Sequence, residues 1–178
     1  MDERDPLVEL LDESRAGEAR AARNRERWLR QSAEEGAELA GTLVDLAEHA
    51  ALVGLATVAG RRHHGVIVAV GGDYCVVRAA GGNEVHLRLD ALTTVRLHPG
   101  EHHGAATGDR AVAGEQRLVE VLARLAGERR RASLVTVSGE TVAGELRSVG
   151  TDVVTLRLDG GGTCYVAAPA VTEAAVDG

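Results

Sequence analysis

Apolar residues recur along this chain at two periods, and the two alternate. Leu39, Leu43, Leu46 and Ala47 follow the i, i+4, i+7, i+8 spacing of one helix face, and Leu118, Leu122, Leu125 and Ala126 repeat it. After each helical stretch the pattern changes to short apolar runs broken by Gly and Asp. A strand ends near Val58, Gly60 turns the chain, and a second strand covers roughly 63–70. Gly71-Gly72-Asp73 makes a tight turn, Tyr74–Arg78 forms a third strand, and Gly81-Gly82-Asn83 turns the chain again. Short strands at regular spacing between Gly-rich turns predict an all-β sandwich or barrel. Upstream, Asp5-Pro6 reads as an N-cap and first helical position. Ser32 to Glu35 fits a capping box for the helix that ends near Glu48.

The same punctuation returns 79 residues later. With Thr57 set against Thr136, 41 residues align without a gap and twelve are identical, among them Gly60, Gly65, Gly71, Asp73, Arg78, Gly81 and Gly82. The second copy places its strands at 142–149 and Val153–Leu158. Gly65 and its counterpart Gly144 fall inside the second strand. There a Gly marks a bend or bulge that lets five strands close on one another. The chain therefore divides into a helical segment (1–37), a first helix with its strands (38–98), a Gly/Ala/His-rich linker (99–114) and a second helix with its strands (115–178).

This order of elements resembles the small SH3-like barrels, and within them the Sm-like type with its N-terminal helix. GVIVAVGGDYCVVR is also similar to the C-terminal barrel of biotin protein ligases. The Arg/Ala/Gly-rich composition and the helix around Trp28 resemble an uncharacterised family of high-GC bacteria. The resemblance implies a mainly β chain with α: two tandem five-stranded SH3-like barrels, each introduced by a helix. The residues of the Sm signature are not matched: Gly71 and Cys75 stand where an Asp and an Asn belong, counting from Gly65, and Gly150 and Val154 stand there in the second copy. What carries over is the fold, together with the edge-strand association common among such barrels.

The net charge of -7 argues against nucleic acid until it is divided. Residues 1–50 carry -6, residues 51–98 carry +2 and residues 99–178 carry -3. All 20 cationic residues are Arg. The cationic segment holds Arg61-Arg62-His63-His64 on its first hairpin, where the second copy has Glu140-Thr141-Val142-Ala143. That tetrad, with Arg23 and Arg27 of the upstream Arg-rich helix, is the candidate contact for an anion, nucleic acid or acidic protein. Solvated charges explain the same residues without a partner. Trp28 and Leu29 are expected to dock their helix on a barrel or on a second subunit.

His98, His102 and His103 with His63 and His64 match no familiar metal spacing, so no metal is expected. Asp73 and Asp152 read as turn-forming, and Arg78 and Arg157 as barrel-flank residues that meet a nearby acid. Cys75 and Cys164 each stand opposite a Val in the other copy, which marks them as small buried residues, and no disulfide framework is present. No phosphate loop, metalloprotease or serine-hydrolase motif occurs. Together these features predict a cytoplasmic, non-enzymatic binding or scaffold module without a cofactor, whose partner is another protein or itself. Nucleic-acid binding through the first repeat is the alternative, and no membrane-spanning segment is expected.

Overall fold

The computed structural model describes residues 18, 20, 22–28, 37–100, 108, 110–112 and 114–176. Asp5-Pro6, Ser32 to Glu35, Leu29, His102 and His103 lie outside them. The described strands form one antiparallel sheet, and the element order is the same in both halves. The first half runs α1 (Leu39–Glu48), β1 (Leu52–Thr57), β2 (Arg62–Val70), β3 (Tyr74–Arg78), β4 (Glu84–Arg88), a 3-10 turn (Leu89–Ala91) and β5 (Leu92–Leu97). The second runs α2 (Leu118–Gly127), β6 (Arg131–Thr136), β7 (Thr141–Val149), β8 (Val153–Leu158), β9 (Thr163–Ala167), a 3-10 turn (Ala168–Ala170) and β10 (Val171–Val176).

Strand order is β5-β1-β2-β3-β4-β10-β6-β7-β8-β9. Within each half the fifth strand pairs with the first, leaving one edge on the fourth strand and one on the fifth. The two halves share a sheet because β4 of the first pairs with β10 of the second, Leu87 opposite Glu173 and Val85 opposite Ala175. The sheet is open, with β5 at one end and β9 at the other.

Two cores follow from the alternation of side chains along these strands. Leu43, Leu46, Val53, Leu55, Ile67 and Leu87 fill the first. Leu122, Leu134, Leu146, Leu156 and Val171 are among those filling the second. β3 is shared: Cys75 and Val77 enter the first core, Tyr74 and Val76 the second. α1 starts at Leu39, after the non-helical Ala37 and Glu38, and so begins later than a capping box at Ser32 implies.

Gly65 and Gly144 do not themselves form the bulges. A Cβ on Gly65 would lie 2.1 Å from the Arg78 carbonyl oxygen, and one on Gly144 2.3 Å from that of Arg157. The glycines let the third strand of each half approach closely, while the register shifts fall further on, between Ile67 and Ala69 and between Leu146 and Ser148. The linker is not free of the fold either. The Gly108 amide donates to Asp45 at 3.0 Å, and Arg110 reaches the same buried carboxylate at 3.2 Å.

Candidate functional site

Two surfaces carry the residues of interest: the junction where the halves meet, and an open face of β5, β1 and β2. At the junction Glu173 is 2% exposed although it is a carboxylate. It accepts hydrogen bonds from the Thr57 hydroxyl at 2.7 Å and faces His63 Nε2 at 3.0 Å. Burial alone pushes its pKa up, but the His63 and Thr57 hydrogen bonds and the nearby Arg61 charge outweigh that, so it lies below the ordinary carboxylate value. Arg61 donates to the Thr141 hydroxyl, and Arg88 reaches the carbonyls of Ala168 and Pro169. Asp73 accepts from the Leu118 amide at 2.7 Å, capping α2 from the other half, and the Gly72 amide donates to the Gln116 carbonyl. His86, beside the Tyr74 ring at 5.8 Å, has its pKa lowered by burial.

The counterparts of these residues at the two ends of the sheet are uncovered. Leu118 is 3% exposed, whereas Leu39, at the same position of α1, is 42% exposed. Tyr165, the counterpart of His86 on the edge strand β9, is 72% exposed. Val153 and Thr155 are half-buried where Tyr74 and Val76 are buried. The α1 N-cap, Glu38, makes no side-chain capping bond, and Asp152 stands where Asp73 serves α2.

The Arg61-Arg62-His63-His64 tetrad is split by strand alternation. Arg61 and His63 turn into the junction. Arg62 and His64 turn to the other face, where β1 places Ala56 and Gly54 directly opposite them and β5 places Thr94 and Arg96 beyond. Small residues in the middle strand leave a trough of about 270 Å³, with Arg62 and His64 on one wall, Thr94 and Arg96 on the other, and His98 and Pro99 at its end. A Cβ at Gly54 would lie 3.2 Å from the His64 ring. Arg78, Arg88, Arg110, Arg131, Arg147 and Arg157 each pair with a carboxylate. Among the described residues Arg62 and Arg96 have no carboxylate partner. Arg96 and Gly54 were not legible as site residues, because only the register brings them beside His64.

Arg23 and Arg27 are exposed in helical residues 22–28 and do not line the trough. Trp28 is 65% exposed, so it does not dock on either half of its own chain. Cys75 is buried, and desolvation pushes its thiol up to about 12, which leaves almost no thiolate at neutral pH. Cys164 is half-buried on β9. Among the described residues no group of three His, Cys, Asp or Glu side chains is arranged to hold a metal ion. None of the described helices is long and apolar enough to cross a membrane. Comparison with protein-family models, curated proteins and solved structures finds no match.

Proposed function

We propose that this chain is a non-enzymatic interaction module, two small SH3-like barrels in tandem, that assembles with further copies of itself end to end. The observation that carries the reading is the junction. The fourth strand of one half adds to the fifth strand of the other, and the same two kinds of edge, β9 and β5, are left unpaired at the ends of the sheet. An interface that joins one face of a unit to a different face of the next does not satisfy itself. It repeats until a ring closes or a filament grows. Open strand edges are usually blunted; here they lie beside Tyr165 on β9 and Leu97 on β5, which is 42% exposed.

Repeating the junction between chains lays β5 of one copy along β9 of another. It brings the exposed Leu39 onto the face that carries Tyr165, Val153 and Thr155, and gives α1 the N-terminal carboxylate of Asp152. Burying a leucine side chain contributes roughly 1.5–3 kcal/mol, and the aromatic adds more. Sedimentation velocity over a rising concentration series tests the reading. The native chain should move to larger species, and Leu39→Asp and Tyr165→Asp should each hold it as a monomer with unchanged thermal unfolding. A native chain that stays monomeric to its solubility limit overturns the proposal.

A further inference from the structure

We infer that the trough on β5, β1 and β2 is a binding site for an extended phosphodiester strand, gripped by its phosphates and not read by its bases. Three observations converge on it. The first is charge without a partner. Arg62 and Arg96 face each other diagonally across the trough, His64 and His98 stand beside them, and no acidic residue lines it. Six other strand and linker arginines, Arg78, Arg88, Arg110, Arg131, Arg147 and Arg157, each have a carboxylate beside them, at 2.6 Å for Arg78 with Glu84 and 3.0 Å for Arg147 with Glu145. The two guanidinium groups share one face with only β1 between their strands, so they repel one another and an anion between them relieves that repulsion.

The second is shape. The middle strand carries Gly54 and Ala56 where the walls carry Arg62 and His64 on one side and Thr94 and Arg96 on the other, so the trough has a low floor and raised sides. Along β2 Arg62 and His64, and along β5 and one residue past its end Arg96 and His98, recur every second residue. That is a rise of about 6.6–6.8 Å per step. Successive phosphates of an extended strand can follow such a ladder, and guanidinium groups present paired donors that match phosphate oxygens.

The third is the contrast between the halves. The same positions in the second half are Thr141, Ala143 and Ala175, with Ser133 in place of Gly54. The fold therefore does not require cations or a glycine there. The lining holds no Phe, Tyr or Trp, so base stacking, the usual means of gripping single strands, is absent and the backbone is what remains to be held. The site does not depend on end-to-end assembly, since Thr141 and Ala143 stay exposed at the existing junction.

The test uses the full chain and a 12-nucleotide fluorescein-labelled single-stranded RNA, followed by anisotropy across a salt series. A native complex that weakens with salt is expected. Arg62→Ala/Arg96→Ala should weaken it roughly tenfold or more and flatten the log–log salt slope by about 1.4, the contribution of two phosphate contacts on a single strand. Arg147→Ala/Arg157→Ala removes the same charge from the second half and should leave binding close to native. Arg62→Gln/Arg96→Gln should reproduce the loss with unfolding unchanged. A calorimetric titration with inorganic tripolyphosphate separates a strand site from a small-anion site. No RNA binding at low salt overturns the proposal, as does equal weakening by the control pair, or tripolyphosphate binding without RNA binding.

Discussion

Glu173 is buried and His86 half-buried at the same junction, and acid acts on them in different pH windows. Glu173 has its pKa lowered in the folded chain. Its contribution to stability is present above the unfolded value near 4.3 and is lost as pH falls through the lower folded value. His86 also has its pKa lowered, with burial the largest cause. The neutral ring is the one the fold accommodates. Its contribution is present above about pH 6.5 and declines as pH drops below that, because the unfolded chain takes up the proton first. Urea titrations at several pH values should show two steps. His86→Gln should remove the one that begins near pH 6.5. Glu173→Gln should remove the lower one and cost about 1–3 kcal/mol at neutral pH, since it takes the charge from a buried hydrogen-bonded pair. The tetrad shows how far residue-level reading reaches. Four adjacent cationic or titratable residues announced a site, but alternate residues of a strand face opposite ways. Half of them serve the junction and half the trough.

At the scale of elements, α1 and α2 are the same helix in two environments. Both carry the leucine period, and the apolar faces were legible because a 3.6-residue repeat is a property of the sequence. Their N-termini differ. α2 begins against the first half, with Asp73 accepting from the Leu118 amide and Leu118 packed in the core. α1 begins with Leu39 42% exposed. Thermal and urea unfolding of dilute protein should separate them. Asp73→Ala should cost about 1 kcal/mol through the lost cap, and Leu118→Ala about 2–5 kcal/mol through the cavity it leaves. Leu39→Ala should stay within about 0.5 kcal/mol. Asp73 reads from sequence as a turn residue and nothing more. Its second role needs the other half of the chain, 45 residues away, and no local signal encodes that.

For the whole molecule, the shared strand decides how the chain unfolds. Tyr74 and Val76 belong to the second core while Cys75 and Val77 belong to the first. Melting either half strips the cover from one face of β3. The two halves should therefore unfold in one transition, with the calorimetric enthalpy equal to the van't Hoff enthalpy. Two resolved transitions would mean that the halves are energetically independent. The charge distribution belongs to this scale as well. A total of -7 conceals an open face of the first half that carries Arg62 and Arg96 and no carboxylate.

The 79-residue repeat, the helix faces, the third strands and the turn glycines were determined by the sequence alone. They rest on local periodicity and on backbone conformations that neighbouring residues impose. The tertiary structure decided which edges pair, and with them everything that depends on register. It joined β4 to β10 and left β5 and β9 open. It buried Glu173 against His63 and set Arg96 across Gly54 from His64. It also placed Gly108 and Arg110 of the linker on Asp45. The physical reason is common to all of these: strand partners are chosen by surfaces that exist only once each half has folded. Sequence identity between the copies makes their edges equivalent, and only the fold shows that one such pair is already used and one is free.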